Sequence, residues 1–276
     1  MSSYLRYTRL ASVNGLMLAA LSTAGRLMRN PDYIAAAEKT GCFILENMFQ
    51  GNRLHTSFRD GALRHPATSD DYAYVLWGIF ELYQATLQPC WLAESVRIAE
   101  SMLALFQDEQ VGSLYLSGRD VHDLPVRGKN THDGALPSGN AVAAQVLGRL
   151  AGVTHRDVFC SSSKSILASQ SSGIKDYPAG YTGLLCADLF HGHGGTQIVI
   201  ASGTGLLELT QAVQAFNPFA TIAVCGEPHD EMRLLAPHMT EYTAIKGKAA
   251  AYICKDRACL KPVTDPADAE RLSALP

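Results

Sequence analysis

The sequence lacks the charge and the long apolar runs that would indicate nucleic-acid or membrane binding. Its 276 residues carry a net charge of -3 and only 18% are charged, so no nucleic acid and no anionic membrane surface is expected as a partner. No uninterrupted apolar stretch approaches the roughly 20 residues that span a bilayer. The apolar segment 16–24 follows Arg6 and Arg9 but has no small-residue cleavage site, so a signal peptide is not predicted.

Cysteine is also few in number and shows no disulfide or metal pattern. The seven cysteines are odd in number and widely scattered, which favours a reducing compartment, and we predict a cytoplasmic protein. Cys42 and Cys186 stand among apolar neighbours and are predicted to be buried thiols. Cys254 and Cys259 are too far apart for a redox CxxC motif and lack a second pair for zinc. They are predicted to be ordinary thiols.

Helical periodicity dominates the first 190 residues. Apolar helices are predicted to begin near Asn14, Asp71 and Asn140, and each is followed by a breaker and a second helix. Short strands are predicted at 53–58 and 112–117, and each is followed by an Arg-Asp pair, the two pairs being 60 residues apart. A fixed period of this kind predicts a mainly α protein built as an array of αα-hairpins. The second helices of the pairs are predicted at 34–49, 92–106 and 156–171.

Such an array has inner and outer helices. The more apolar helix of each hairpin is predicted to be inner, so that three inner helices run parallel and begin at one mouth. The loop 131–140 then brings an acid, two glycines, a hydroxyl and an amide to the start of an inner helix. Free backbone N–H groups at a helix start favour anionic or hydroxyl-rich ligands. The alternative is that Ser138 and Asn140 merely cap the helix.

The pattern changes near residue 191. Strands are predicted at 197–201, 221–224 and 249–253, with a helix at 206–216, which indicates a small α/β element. We therefore divide the chain into a helical unit, 1–190, and an α/β element, 191–276. The turn 202–205 lacks both the dinucleotide glycine pattern and the P-loop lysine, and His191 and His193 lack a third ligand. No metal and no cofactor are predicted.

Several blocks of the sequence resemble one known family. They are Ser12–Met17, Phe58–Gly61 with Asp70–Tyr74, Asp133–Asn140, and the tail Ala251–Pro266. In this order they are similar to the C-terminal part of the spermatogenesis-associated, thioredoxin-domain-containing family of bacteria and animals. The resemblance implies part of an (α/α)6 toroid related to six-hairpin glycosidases and N-acylglucosamine 2-epimerases. Without the family's thioredoxin-like domain, the chain is expected to begin midway through the toroid, and no redox chemistry is assigned to it.

A toroid of this kind implies sugar chemistry, which needs a proton donor and a proton acceptor on opposite sides of the reacting carbon. Asp71 and Asp133 begin neighbouring inner helices and are predicted to be this catalytic pair. The alternative is that Asp70 and Asp71 cap a helix while Arg59 and Asp60 pair to fix a turn. Tyr72 is also expected to stack on a sugar ring. The residues predicted to bind the hydroxyls of a sugar-like ligand are Asn14, Arg59, Asp60, Tyr72, Ser138 and Asn140.

Two classes of function follow. The first is a carbohydrate-directed enzyme, an isomerase, epimerase or glycoside hydrolase, with its substrate left open. The second is a non-catalytic homologue or a subunit completed by a thioredoxin-domain partner chain. An incomplete ring would expose the apolar faces of its first helix, and such faces normally find a partner. A homo-oligomer or a complex with a partner chain is therefore expected. The apolar residues concerned are Leu16, Met17, Leu18, Ala20, Leu21, Ala24, Leu27 and Met28.

Overall fold

The computed structural model describes residues 8–192, 195–214, 220–227, 231–255 and 258–273. Arg6, His193 and the predicted helix end at 216 lie outside these residues. None of the helices in the described ranges combines the length and the apolar character needed to cross a membrane.

Helical hairpins come first in the chain and an α/β element comes last. The helices of the first part are α1 (Ala11–Met28), α2 (Pro31–Asn47), α3 (Ser69–Thr86), α4 (Pro89–Phe106), α5 (Gly139–Thr154), α6 (Asp157–Ser169), α7 (Ser171–Asp176) and α8 (Thr182–Gly192). Its strands are β1 (Arg9–Leu10), β2 (Phe49–Gln50), β3 (Arg53–Arg59) and β4 (Ala62–Pro66). The later elements are β5 (Thr196–Ala201), α9 (Leu206–Val213), β6 (Ala220–Cys225), α10 (Met232–Leu235), β7 (Ala250–Lys255), β8 (Ala258–Cys259) and α11 (Pro266–Ser273).

The inner helices α1, α3 and α5 lie side by side and run in the same direction. At their beginnings, the Gly139 amide of α5 donates to the Asp70 carboxylate of α3 at 3.1 Å. Further along, Glu81 of α3 forms ion pairs with Arg26 of α1 and Arg149 of α5. The three helix N-termini therefore meet at one end, as the repeat predicts. We call this end the mouth.

Two glycines allow α1 and α3 to pack closely. A Cβ atom at Gly15 would lie 2.6 Å from the carbonyl carbon of Tyr74, and one at Gly78 would lie 2.6 Å from the carbonyl oxygen of Gly15. Such distances are far shorter than a normal carbon contact, so only glycine fits at either position. The helix α3 is consequently enclosed by α1, α4 and α5, and nearly all its residues are buried.

A small antiparallel sheet lies between the first two hairpins. Strand β3 pairs with β1, β2 and β4. The strand predicted at 112–117 is wrong: the segment forms a single bridge, between Gln107 and Leu114. The N–H of Leu114 donates to the side-chain oxygen of Asn140 at 2.7 Å, and its carbonyl accepts from the Asn140 amide. The backbone of Leu114 is therefore hydrogen-bonded without a partner strand.

The α/β element is a four-stranded sheet in the order β6-β5-β7-β8. Strands β5 and β6 are parallel, whereas β7 is antiparallel to β5. The side-chain amide of Gln84, near the end of α3, exchanges two hydrogen bonds with the backbone of Ile222 in the edge strand β6, at 2.9 and 3.0 Å. The element thus packs against the helical array at the end opposite the mouth. The division of the chain at residue 190 stays a prediction.

The cysteine predictions are corrected by the structure. Cys42 and Cys186 are exposed rather than buried, because the buried positions of α2 and α8 lie on other faces of these helices. Cys254 and Cys259 form a disulfide rather than remaining ordinary thiols. The cause is the hairpin of β7 and β8, whose register places the two residues directly opposite each other.

Replacing Gly15 by alanine is expected to lower the free energy of unfolding by roughly 1–3 kcal/mol, because the added methyl group forces α1 away from the backbone of α3. The matched control is Gly128→Ala, where no atom lies within 4 Å of the added carbon. That control should stay within about 0.5 kcal/mol of the parent protein in urea denaturation. A stabilised Gly15→Ala protein would contradict the close packing of the two helices, since alanine is the better helix former.

Candidate functional site

Two carboxylates lie at the mouth on consecutive backbone amides. Asp133 accepts a hydrogen bond from the N–H of Ser138 at 2.9 Å, and Asp70 accepts one from the next N–H, that of Gly139, at 3.1 Å. Both amides belong to the start of α5, where unsatisfied N–H groups and the helix dipole attract negative charge. The fold therefore brings two acids from different hairpins to one helix terminus.

The two carboxyl groups have different surroundings. Asp70 is half-buried, and burial raises its pKa; hydrogen bonds from Asn130 and Gly139 act against this, while the nearby charge of Asp71 adds to it. Asp133 instead accepts three hydrogen bonds, from the N–H of Ser138, the N–H of Gly183 and the hydroxyl of Thr182. The two carboxyl groups therefore differ in burial and in the number of hydrogen bonds they accept.

Tyr74 lies one helical turn after Asp70 on the same side of α3. Its hydroxyl donates to the carbonyl oxygen of Pro137 at 2.7 Å. Burial, together with the charges of Asp70 and Asp133, raises the pKa of Tyr74 to about 12. The phenol therefore stays protonated at neutral pH, and its hydroxyl keeps donating to the loop carbonyl of Pro137.

The loop 130–133 adds two further polar groups to the mouth. The Asn130 amide donates to Asp70 at 2.8 Å. The His132 ring packs on Tyr181 with 4.4 Å between ring centroids, and the tyrosine hydroxyl lies 3.1 Å from its Nε2. We define the mouth cluster by its six residues. They are Asp70, Tyr74, Asn130, His132, Asp133 and Tyr181.

Asp71 and Ser138 act as helix caps. The Asp71 carboxylate accepts from the N–H and the hydroxyl of Thr68 at 3.0 and 3.1 Å, which forms a capping box at the start of α3. The hydroxyl of Ser138 accepts from the N–H of Ala141 at 3.2 Å at the start of α5. For these two residues the capping alternative describes the observed contacts.

Tyr72 and Asn140 are fully buried and serve the scaffold. The Tyr72 hydroxyl accepts from the N–H of Leu54 and donates to the carbonyl of Asn52, and its ring packs on Phe106 of α4. Ring stacking on a sugar is therefore excluded for Tyr72. Asn140 donates from its amide to the carbonyl oxygens of Leu114 and Asn130, and so holds two loops together.

The remaining predicted residues lie on the edge of the array. Arg59 and Asp60 are exposed in the turn between β3 and β4, and their charges are 3.6 Å apart. The Asn14 side chain donates to the carbonyl of Leu10 in its own helix at 2.7 Å. The predicted set therefore does not line a single pocket, because Tyr72 and Asn140 point into the core and Arg59 and Asp60 into solvent.

Sequence reasoning missed Asp70 and Tyr74. A signal for both was present: a capping box uses Thr68 and Asp71, which leaves Asp70 without a role in its own helix. Tyr74 follows two residues after Tyr72, and two residues turn a helix by about 200°, so the two rings must face opposite sides. Across the described ranges, no group of three or more His, Cys, Asp and Glu side chains is placed to hold a metal ion.

A helical-hairpin array with acids at the mouth defines part of an α/α toroid. The fold is similar to that of a GH76 α-mannanase from Bacteroides thetaiotaomicron, with a TM-score of 0.50, 16% identity, and coverage of 63% of this chain and 47% of that one. A cellobiose 2-epimerase from Bacillus thermoamylovorans superimposes with a TM-score of 0.49 and 10% identity, over 60% of this chain and 45% of that one. No profile of a known protein family matches the chain.

The particular relatives are spermatogenesis-associated protein 20 of mammals, which confirms the resemblance seen in the sequence blocks. The human protein is 27% identical over 279 residues, which cover 95% of this chain and 36% of the human protein. The rat protein is also 27% identical, over 95% of this chain and 35% of its own length. The chain thus spans about a third of the length of these relatives.

Replacing Asp133 by asparagine is expected to lower the free energy of unfolding by roughly 1–3 kcal/mol, because the NH2 group replaces one of the two oxygens and leaves the N–H of either Ser138 or Gly183 without its acceptor. The matched control is Asp60→Asn, at an exposed ion pair worth about 0–1 kcal/mol. Thermal and urea denaturation of both variants measure the difference. Equal stabilities would show that Asp133 is not anchored to α5 and α8.

Proposed function

We propose that the mouth cluster binds a carbohydrate and that the chain contributes to a carbohydrate-directed enzyme of the isomerase, epimerase or glycoside hydrolase type. The observation that carries this proposal is the pair Asp70 and Asp133 on consecutive amides of α5. Their different environments suit one carboxyl group to donating a proton and the other to accepting one. The similarity of the fold to an α-mannanase supports a carbohydrate as the ligand class.

In this proposal Asp70 replaces Asp71 in the predicted catalytic pair and is the proton donor. Asp71 is nearly inaccessible and engaged in its capping box, whereas Asp70 is half-buried with its pKa raised. Asp133, the other member of the predicted pair, is the proton acceptor. The amide of Asn130 and the exposed ring of His132 bind and orient the sugar, in place of Tyr72 and Asn140. Tyr74 and Tyr181 are themselves buried and position the loop and the His132 ring.

The pH dependence of turnover tests this assignment. The substrates are neutral disaccharides and aldoses, assayed for isomerisation, 2-epimerisation and hydrolysis. A proton donor must be protonated, so turnover should fall as the pH rises through the pKa of Asp70. The Asp70→Asn protein should lose this limb of the pH profile and about 100-fold or more in turnover, the usual contribution of a general acid.

The control is Asp60→Asn, which should keep both the rate and the pH profile. If no sugar is bound or converted by the parent protein, the enzymatic proposal fails. If Asp70→Asn changes stability but leaves the pH profile intact, Asp70 is a scaffold residue and the proton donor lies elsewhere.

An exposed apolar face favours a second, assembly-based role. In α1 the residues Val13, Met17, Ala20 and Met28 are exposed and recur at helical spacing, and Met17 exposes 55% of its surface. Helix α3 packs between two inner helices, whereas α1 contacts a single one among the described elements. We propose that a helical hairpin of another chain covers this face, either in a homo-oligomer or in a thioredoxin-domain partner.

Sedimentation velocity at low micromolar concentration tests the assembly. It is measured on this chain by itself and on its mixture with a chain that carries a thioredoxin domain and a helical hairpin. Met17→Glu should weaken association, because a charge would replace apolar contact worth roughly 25 cal/mol for each Å² buried. The control is Val126→Glu, at a residue that is 80% exposed on a loop away from α1. A monodisperse monomer that neither binds that chain nor an apolar dye would contradict this role.

A further inference from the structure

A cavity of about 320 Å³ lies at the end of α5 that is remote from the mouth. Its lining begins at Gly148, nine residues after Gly139 at the start of α5, so about 14 Å of helix separates the cavity from the mouth. Its walls come from α5, α6, α8 and the strands β5 and β7. The polar residues that line it include His155, Arg156, Asp157, Lys164, His191 and Gln197.

Two glycines of α5 line the cavity. Gly148 and Gly152 lie one turn apart on the side of α5 that faces the cavity. A glycine inside a helix costs roughly 0.5–1 kcal/mol relative to alanine, so their presence needs a compensating role. At Gly148 an added Cβ atom would lie 3.2 Å from Nε2 of His191, which shows that this glycine makes room for the imidazole.

The hydrogen bonds of His191 leave one ring nitrogen as an acceptor. The Ser163 hydroxyl donates its single hydrogen to the carbonyl oxygen of Ala144. The contact of 2.7 Å between Ser163 Oγ and His191 Nε2 must therefore be donated by the imidazole N–H. Burial and the charge of Lys164 lower the pKa of His191, against an opposing effect of Asp188. The ring is neutral, and its Nδ1 offers a lone pair.

Cationic groups share the wall with this acceptor. Lys164 is exposed and has no ion-pair partner in the part of the chain that the structure describes. Arg156 also lines the cavity and shares its charge with Glu100. Asp157 is the carboxylate on the same rim. The wall thus combines a lysine, which attracts a negatively charged ligand, with an imidazole nitrogen that can accept one hydrogen bond from it.

We propose that this cavity is a second ligand site, which binds inorganic phosphate in its hydrogen-bearing forms. Lysine binds phosphate as a point charge, and guanidinium adds directed donors. A phosphate group that carries a hydrogen supplies the donor that Nδ1 of His191 requires. Sulfate has the same shape but carries no hydrogen at neutral pH, so it leaves Nδ1 facing an oxygen. The site is independent of the carbohydrate proposed at the mouth.

Isothermal titration of the full chain with inorganic phosphate and with sulfate near pH 6.5 tests the proposal, because monohydrogen and dihydrogen phosphate both carry the required hydrogen. Phosphate should bind about tenfold more tightly than sulfate, the ratio expected when one hydrogen bond to a charged ligand is lost. His191→Phe keeps a ring of similar size but removes both ring nitrogens, and with them the acceptor at Nδ1, so this variant should lose the preference.

Lys164→Gln should weaken both anions about tenfold, whereas the matched control Lys175→Gln, on the exposed part of α7, should bind as the parent protein does. The midpoint of thermal denaturation should be the same for all three variants, which shows that the changes in binding do not come from unfolding. Absence of phosphate binding would overturn the proposal. So would equal binding of phosphate and sulfate, or binding that Lys164→Gln leaves unchanged.

Discussion

The buried carboxylate of Glu81 joins the three inner helices. Its side chain is 6% exposed and lies between Arg26 of α1 and Arg149 of α5. Burial alone would raise the pKa of Glu81, but the guanidinium of Arg149, its hydrogen bond, and the charge of Arg26 outweigh burial and lower it. A buried charge is tolerated when it is paired and hydrogen-bonded, and removing one partner leaves the others uncompensated. Loss of any one of the three side chains would therefore leave a buried charge uncompensated at the point where α1, α3 and α5 meet.

Because the inner helices are parallel, acidic side chains collect at the end where the three helices begin. Their N-termini bring free N–H groups and the positive ends of the helix dipoles together, and these attract acidic side chains. Some of these N–H groups are capped by side chains of the same helix start, as Asp71 and Ser138 show. Asp70 and Asp133 differ because each also accepts from a backbone amide that is distant in the chain, Gly139 at the start of α5 for Asp70 and Gly183 in α8 for Asp133. Acids that bridge hairpins lie where the helices converge, which is also where a ligand would enter a ring.

The sequence predicted the large features of the fold and one member of the mouth cluster, Asp133. Apolar spacing located the inner helices because burial of one face imposes it, and the position of the mouth follows from their common direction. The choice between Asp70 and Asp71 depends on which carboxyl group closes the capping box. The backbone geometry of the first helical turn decides which of the two closes the box, and the sequence alone does not give this geometry.

Other errors have the same origin. Tyr72 and Asn140 looked like ligand contacts because their polar atoms are conspicuous in sequence, yet those atoms satisfy backbone groups of distant loops. Sequence alone does not show which loops will need such partners. The disulfide between Cys254 and Cys259 was missed because pairing depends on a hairpin register rather than on cysteine spacing.

The amide of Gln84 has a consequence for how the chain behaves in a crowded solution. Strand β6 lies at the edge of its sheet, and an edge with free N–H and C=O groups is a template for pairing with another chain. A glutamine amide has the same donor and acceptor as a peptide group, so Gln84 imitates one residue of a neighbouring strand at Ile222. The helical array thus occupies the place at which an intruding strand would begin to add, and protects the small sheet against growth into fibrils.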